Sequence, residues 1–288
     1  MNEAILNMLK KYSCVSQQDY KNALKEIIQE VALLGLWRAK FFEKAAFYGG
    51  TSLRILHGLN RFSEDLDFSL LHPEPSFSLI PYERAIKTEL ESFGFDVTIQ
   101  TVEKTQQSAI ESAFLKANTL ENFLRIGVPP KERKKCHFDE SIKIKLECDR
   151  DPPVNFSTEA RFLLQPIPFS VVTYTPSDLF AGKLHALLFR SWKNRVKGRD
   201  WYDFIWFVSQ GIPVHLKHLE ERMKQTGHLE NDSKLTFNGF QKFLLDKIDQ
   251  LDVEQAKKDI LPFIRDPNQL SVWSRDFFRA VANQVKAI

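Results

Sequence analysis

The sequence predicts an α+β fold in which a domain with a mixed β-sheet is followed by a helical C-terminal domain. Segments with apolar residues at every second position alternate with helical segments as far as residue 174. From Thr175 onward, nearly every segment has the 3.6-residue spacing of a helix. We therefore expect a sheet domain with N-terminal helices over 1–175 and a helical domain over 176–288.

The first elements are predicted from capping residues and periodicity. Ser16 and Asp19 have the spacing of a capping box, and apolar residues at helical spacing follow them, so a long helix is expected there. A first strand is expected over 42–48 and a second over 65–70. The glycine pair that follows the first strand is expected to open a helix, with Thr51 or Ser52 as its cap.

The later part of the sheet domain is predicted in the same way. Apolar residues at helical spacing indicate a helix over 82–93, and alternation indicates a strand over 95–101. The stretch 104–125 is ambiguous between strand and helix. Two more strands are expected over 142–147 and 169–173.

The helical domain is expected to begin at a strong start signal. Thr175 is a cap, Pro176 occupies the first helical position and Asp178 adds a negative charge to the first turn. A second helix is expected over 200–209, ended by Gly211, and three or four further helices should run to the last residue.

Composition limits the class of protein. The chain has 288 residues, 43% of them hydrophobic, which is enough for a sizeable core, and it contains no apolar run of transmembrane length. The first residues form a mixed amphipathic segment, so we expect no signal peptide. Three scattered cysteines without CxxC spacing argue against a zinc site or a disulfide framework. We expect a cytoplasmic protein without membrane contact.

Positive charge is concentrated in two places, although the net charge is only +3. Clusters of this kind suit a polyanionic partner, but solvated loops have the same composition. The first cluster spans 131–135, and the second consists of Arg190, Lys193, Arg195, Lys197 and Arg199.

The second predicted strand carries an Asp-x-Asp motif. Because strand side chains alternate between faces, Asp65 and Asp67 should point to the same side. Two neighbouring carboxylates repel each other, and a divalent cation is the simplest compensation. Oxygen ligands suit Mg²⁺, which is commonly held by one or two carboxylates and substrate phosphates.

These motifs resemble those of the AbiEii/AbiGii-type nucleotidyltransferase toxins, in the DNA polymerase β-like superfamily. The resemblance rests on Gly-Gly-Thr-Ser-Leu-Arg at 49–54 and Asp-Leu-Asp-Phe at 65–68. It continues in Ala-Gly-Lys-Leu-His-Ala-Leu at 181–187 and Lys-Gly-Arg-Asp-Trp-Tyr-Asp at 197–203. The motifs occur in the family's order and cover roughly residues 47–207. The resemblance implies a polymerase-β-like domain with a helical domain after it.

The resemblance also implies a metal site. Asp65 and Asp67 would bind Mg²⁺, as one ion or two, and Mn²⁺ would be a substitute. A third carboxylate comes from a later strand in this superfamily. Glu147 is the better match because it alternates correctly in its strand, but Asp149 lies on the same face and stays an alternative.

Further residues are assigned by the resemblance to the nucleotide. Lys183 matches the family's lysine helix and would contact a phosphate, and an essential aspartate corresponds to Asp200 or Asp203. Glycines and a helix N-terminus let phosphate oxygens approach backbone amides. The proposed triphosphate ligands are Gly49, Gly50, Thr51, Ser52, Arg54 and Lys183.

The function that the resemblance implies is that of a Mg²⁺-dependent toxin of a bacterial toxin–antitoxin or abortive-infection system. It would transfer a nucleotide from a nucleoside triphosphate to an acceptor, with tRNA as the first candidate. A cognate antitoxin is expected as a partner. Transfer to a protein hydroxyl, or nucleotide and RNA binding without catalysis, remain the alternatives.

Overall fold

A computed structural model describes residues 2–102, 109–190 and 196–288 of the chain. These residues form two compact units. The first, which we call the sheet unit, comprises Met1–Gly58, Phe62–Pro152 and Ala160–Thr173. The second, the helical unit, comprises Leu59–Arg61, Pro153–Glu159 and Tyr174–Ile288. Two short segments that precede residue 174 therefore belong to the helical unit, so no single boundary in the sequence separates the two units.

Seven strands form one sheet, and its mixed character is confirmed, although only five of the strands were predicted. Their order is β3-β4-β5-β2-β1-β7-β6, in which β2 is antiparallel to β1 and parallel to β5, and β1 is parallel to β7. The strands are β1 (Ala45–Tyr48), β2 (Leu66–Leu70), β3 (Val97–Thr101), β4 (Ile110–Asn118), β5 (Ser141–Asp149), β6 (Thr158–Leu163) and β7 (Phe169–Tyr174).

The core of the sheet unit lies between one face of the sheet and the helices. Its centre is aromatic, with Phe41, Phe47 and Phe68 fully buried. Helix α2 packs so closely on α4 that a Cβ on Gly35 would lie 2.9 Å from the Cα of Ile86. The helices are α1 (Glu3–Leu9), α2 (Gln17–Arg38), α3 (Gly49–His57), α4 (Ile80–Ser92), α5 (Thr119–Arg125) and α6 (Pro130–Arg133).

The helical unit has its own core, in which Phe180 stacks on Phe207 with ring centroids 4.5 Å apart. Gly198 is a close-approach position, because a Cβ there would collide with the backbone carbonyl of Ala256. Short 3₁₀ turns follow at Leu261–Phe263 and Pro267–Leu270. The helices are α7 (Pro176–Phe189), α8 (Gly198–Ser209), α9 (Leu216–Gln225), α10 (Phe237–Asp249), α11 (Val253–Ile260) and α12 (Arg275–Ala282).

Several local predictions are confirmed. The capping box at the start of α2 is present: Ser16 accepts from the Asp19 amide, and the Asp19 carboxylate accepts from the Ser16 amide. The ambiguous stretch resolves into β4 followed by α5, while its first residues lie outside the described part. No helix in the described residues is both long enough and apolar enough to cross a bilayer.

Other local predictions are wrong. The first strand begins at Ala45 rather than residue 42, because Phe41–Glu43 forms a 3₁₀ turn. Helix α3 begins at Gly49 itself, with Tyr48 in the N-cap position and no side-chain cap, so neither Thr51 nor Ser52 caps it. Strand β6 was not predicted from the sequence.

Candidate active site

Strand register brings two of the predicted metal ligands together in the sheet unit. Asp67 of β2 is the direct partner of Glu147 of β5, and the strands are parallel neighbours. Partners in register carry their side chains on the same face of a sheet. This is the face opposite the core, because Leu66 and Phe68 on either side of Asp67 are fully buried. We call it the carboxylate face.

The register also distinguishes the two candidates for the third carboxylate. Asp149 lies opposite Ser69 rather than opposite an acid, and its Oδ1 accepts from the Asp151 amide at 3.0 Å. Glu147 lies opposite Asp67 and accepts at Oε1 from Lys145 Nζ at 2.5 Å and Ser112 Oγ at 3.3 Å. The geometry therefore favours Glu147.

Asp65 lies immediately before β2, in a segment fixed by two helices. The hydroxyl of Thr51 in α3 donates to the backbone carbonyl of Asp65. The side-chain amide of Gln29 in α2 donates to the carbonyls of Ser63, at 3.3 Å, and Glu64, at 2.9 Å. Gln29 is completely buried, so this position of the Asp-x-Asp segment is fixed from the core side.

Gly49 packs directly on Asp67. Its φ is +84°, a left-handed conformation that disfavours other residues. A Cβ at this position would lie 3.0 Å from the Cβ of Asp67 and closer still to its carboxylate oxygen Oδ2. The first glycine of the pair therefore leaves the space that the Asp67 carboxylate occupies.

The hydroxyls of the glycine-rich segment are engaged within the protein. Thr51 and Ser52 are fully buried, and Ser52 Oγ lies 3.0 Å from the hydroxyl of Thr173. The Thr173 hydroxyl also donates to the carbonyl of Phe47, at 2.7 Å. In this arrangement the two hydroxyls fix the segment, and its backbone amides are the groups suited to an anion. Gly50 is buried in the first turn of α3.

The carboxylate face meets the requirements of a divalent metal through two ligands rather than three. No three His, Cys, Asp or Glu side chains in residues 2–102, 109–190 and 196–288 are grouped closely enough to hold a metal ion. Asp67 and Glu147 are adjacent oxygen donors, and the absence of a Cβ at Gly49 leaves room for the Asp67 carboxylate. Mg²⁺ commonly takes one or two carboxylates and completes its shell with phosphates and water. The residues present fit that mode of binding.

Arg54, a predicted nucleotide ligand, belongs to a different group of charged side chains, in the sheet unit. Its Nε lies 2.8 Å from Glu26 Oε2, and its guanidinium lies over the ring of Phe62. The Tyr12 hydroxyl donates to the other oxygen of Glu26 at 2.8 Å. Burial raises the pKa of neighbouring Glu30 to about 7. Arg54 thus has an acidic partner of its own, and its role as a nucleotide ligand stays a prediction.

In the helical unit, the predicted site residues Lys183, Asp200 and Asp203 lie together with Arg61. Asp203 is completely buried and accepts from Arg61 Nε and Nη2, both at 2.6 Å. Lys183 Nζ lies 2.7 Å from Asp203 and 4.0 Å from Asp200. Burial alone would raise the pKa of Asp203, but Arg61 and Lys183 outweigh it and hold that pKa below its usual range. We call these four residues the charge cluster.

The two aspartates of this segment have different environments. Asp203 is bound on both sides by cations and has no exposed surface. The Asp200 side chain is 10% exposed and lines a cavity of about 220 Å³ in the helical unit. Asp203 therefore has the geometry of a counter-charge that fixes Lys183, and Asp200 is the aspartate available to a ligand.

Some functional candidates were missed in the sequence. Arg61 lies four residues before Asp65 in the sequence, but its pairing with Asp203 depends on a tertiary contact. Gln29 gave no signal, because a glutamine in an amphipathic helix is ordinary. Alternation in the sequence places Lys145 on the same side of the strand as Glu147, but the contact between the two side chains is a finding of the structure.

The basic clusters also differ. In the first, Lys135 Nζ lies 2.6 Å from Glu132, which also accepts from the Gln17 amide, so α6 is partly neutralised. In the second, Arg199 stacks over the ring of Phe263 with 4.2 Å to the centroid. Lys193 and Arg195 of the second cluster lie outside the described residues.

Comparisons with known proteins identify the family of this chain and its fold. A family model described as nucleotidyl transferase AbiEii toxin, type IV TA system, matches residues 31–283. The crystal structure of JHP933 from Helicobacter pylori superposes with a TM-score of 0.50 at 17% identity, covering 91% of this chain and 90% of that one. An H. pylori protein provisionally assigned as a nucleotidyltransferase gives 0.50 at 18% identity, covering 89% and 90%. At such identities these two show the fold alone. The comparison with curated proteins finds no match.

Proposed function

We propose that this chain, which belongs to the AbiEii family of nucleotidyl transferase toxins of type IV toxin–antitoxin systems, uses Mg²⁺ to transfer a nucleotide to tRNA. Family membership makes it a nucleotidyltransferase and a toxin with a cognate antitoxin. The metal ion, the tRNA acceptor, a role in abortive phage infection and a cytoplasmic location are what we propose beyond that membership.

The single observation that carries the proposal is the pairing of Asp67 with Glu147 on neighbouring parallel strands, with Gly49 packed against Asp67. Two carboxylates in direct register repel each other and favour a bound cation. An ordinary sheet surface avoids acids directly opposite each other. When bound, Mg²⁺ would supply neutralisation of the charge on the phosphates and on the leaving pyrophosphate.

The proposed reaction is a displacement at the α-phosphorus. A hydroxyl oxygen of the acceptor forms the new bond, the bond to the bridging oxygen of the β-phosphate breaks, and pyrophosphate leaves. Glu147 is the carboxylate that we assign to receive the proton of the hydroxyl. Both of its hydrogen-bond donors contact Oε1, and within the described residues Oε2 has no donor.

The backbone of the sheet unit is suited to hold the phosphates. The first amides of α3 point out of a helix N-terminus that no side chain caps. Buried hydroxyls of Thr51 and Ser52 fix this segment from behind. For the helical unit, we propose that the Lys183 ammonium contacts a phosphate of the nucleotide, as the family resemblance implies.

The test is a labelling reaction. Purified protein is incubated with Mg²⁺, total bacterial tRNA and each of the four α-³²P-labelled nucleoside triphosphates in turn, beside Asp67→Asn. We expect label on tRNA with one or more nucleotides and none with the variant. Omitting Mg²⁺, or replacing it with Mn²⁺, tests the metal ion separately.

Other outcomes would change the proposal. Label on protein in place of tRNA would establish transfer to a protein hydroxyl. Nucleotide binding without any labelled product, in the presence of Mg²⁺ and tRNA, would favour a binding module without catalysis. Equal labelling by Asp67→Asn would show that the carboxylate face is not the catalytic centre.

A further inference from the structure

The helical unit contains a cavity of about 220 Å³ between the end of α7, the start of α8 and the last turns of α10. Its apolar wall includes Leu187, Trp201 and Leu251, which are all buried. Among the described residues, three basic side chains and one carboxylate line it: Arg190, Lys197, Lys247 and Asp200. The cavity therefore has an excess of positive charge in a partly apolar setting.

The position of these cations is set by the fold. Arg190 follows α7 on the same stripe as Lys183 and Leu187, at helical spacing. The Val196 amide donates to Gln255 Oε1 of α11 at 2.8 Å, which fixes the backbone next to Lys197. Lys247 comes from α10 and forms no ion pair within residues 2–102, 109–190 and 196–288.

Two further features favour an anion here. The N-terminus of α8, a helix of 12 residues, opens at the cavity, and its N-cap residue Lys197 makes no side-chain cap. Burial, followed by the charges of Arg190, Arg199 and Lys183, lowers the pKa of Lys197 to about 8 against the opposing effect of Asp200. Cations crowded in this way are stabilised by a bound anion.

We propose that this cavity binds a phosphodiester group of a single-stranded RNA acceptor, with Arg190, Lys197 and Lys247 as its ligands. The inference rests on the proposed function, because it assigns part of the acceptor's binding site. Asp200 lies in the wall of the cavity and 4.0 Å from Lys183, so this site adjoins the lysine predicted to contact the nucleotide. The flat indole of Trp201 closes the apolar side.

The test measures binding rather than activity. A short fluorescein-labelled single-stranded RNA is titrated by fluorescence anisotropy at several salt concentrations against the full chain, Lys247→Gln and Lys242→Gln. Lys242 is a matched control on the same helix, exposed and outside the cavity. We expect Lys247→Gln to weaken binding about threefold to tenfold and to reduce the salt slope by about 0.7, with Lys242→Gln unchanged.

A second variant gives a gain of binding that misfolding does not explain. Gln250 is an exposed residue of the cavity wall at the C-terminal end of α10, where a cation is also compatible with the helix dipole. Gln250→Lys adds a fourth cation, and we expect it to tighten RNA binding about threefold. Unchanged binding in both Lys247→Gln and Gln250→Lys would overturn the proposal.

Inorganic tripolyphosphate distinguishes the source of the phosphate. In calorimetric titrations, Lys247→Gln should bind tripolyphosphate as the unaltered chain does. If Lys247→Gln loses tripolyphosphate binding but keeps RNA binding, the RNA assignment is overturned and the cavity is instead a binding site for the nucleotide. An unaltered chain that binds no RNA would refute the RNA acceptor itself, whereas RNA binding that is insensitive to the cavity variants would refute only this site.

Discussion

The carboxylate face of the sheet unit and the charge cluster of the helical unit are both built on aspartates, but they balance charge differently. On the sheet, Asp67 and Glu147 lie in direct register, and the cation that contacts Glu147 is Lys145 on the same strand. In the helical unit, Asp203 forms ion pairs with Arg61 and Lys183. The first arrangement favours an added cation, whereas the second is already neutralised by the protein. An aspartate within a family motif can therefore serve chemistry or hold a neighbour in place, and burial together with its partners distinguishes the two.

The largest expected effect is at Asp67. Asp67→Asn keeps the shape of the side chain but removes a charge from the carboxylate face. We expect nucleotide transfer to fall by about 10³-fold or more, equivalent to about 4 kcal/mol, with the free energy of unfolding changed by less than about 1 kcal/mol. Radiolabel transfer and urea denaturation measure the two quantities. If Asp67→Asn loses activity but also unfolds much more easily, Asp67 would have the same structural role that we assign to Asp203.

At Asp203 we expect the substitution to lower the free energy of unfolding strongly, whereas at Asp67 it should mainly lower transfer activity. Asp203→Asn leaves Arg61 and Lys183 without their buried counter-charge, and breaking such a group costs about 3–5 kcal/mol of stability. Asp200→Asn is the matched control, because the Asp200 side chain is also buried but lies 4.0 Å from Lys183, so we expect about 1 kcal/mol. Urea denaturation of both variants decides the question. Wild-type stability in Asp203→Asn, with activity lost, would make Asp203 a catalytic residue instead.

The packing of Gly49 on Asp67 can be separated from backbone strain. Gly49→Ala and Gly58→Ala both place a Cβ at positive φ, +84° and +76°, and each should lose about 1–2 kcal/mol of stability. Only at Gly49 would the Cβ also collide with Asp67, since the space at Gly58 is open. We expect transfer activity to fall roughly 10- to 100-fold in Gly49→Ala alone. Equal activities in the two variants would show that the close packing of Gly49 on Asp67 does not affect transfer.

The smallest expected effect is a pH dependence in the helical unit. Lys197 has a pKa lowered to about 8, and the charged groups around it are Asp200, Arg190, Arg199, Lys183 and Lys247. As the pH rises through 8 the ammonium loses its proton, so the cavity loses a positive charge. RNA affinity should weaken about threefold between pH 7 and 9, and Lys197→Arg should abolish that dependence. Identical pH profiles for both proteins would exclude Lys197 as the titrating group.

The sequence predicted the parts of the molecule that depend on local pattern. Alternation placed Asp67 and Glu147 on polar strand faces, and capping residues placed the start of α2 correctly. It could not predict that β2 and β5 are neighbours in register, because strand order depends on tertiary pairing. The partner of Arg61 could not be predicted for the same reason, since an arginine before a motif says nothing about a buried carboxylate far along the chain.

Edge position explains the missed strand. β6 lies at the edge of the sheet and has only six residues. Ala160 and Phe162 alternate with Glu159 and Arg161, but this short pattern is exposed and does not mark a core-facing strand. The glycine pair was correctly predicted to open a helix, but the prediction that Thr51 or Ser52 caps it was wrong. Helix α3 begins at Gly49 without a side-chain cap, and Thr51 donates instead to the Asp65 carbonyl. A hydroxyl near a helix start has several possible acceptors, and spacing alone does not select among them.

The parallel pairing of β2 with β5 also has a consequence for the timing of folding. Asp67 acquires its partner Glu147 only after α4, β3, β4, α5 and α6 have been synthesised, because these elements lie between the two strands in the chain. Non-local pairing of this kind is slow to form compared with local contacts. A ribosome-bound fragment that ends before β5 therefore carries the complete Asp-x-Asp motif and lacks the paired carboxylates. During translation, the Asp-x-Asp motif would therefore be present before the chain could carry out the proposed nucleotide transfer.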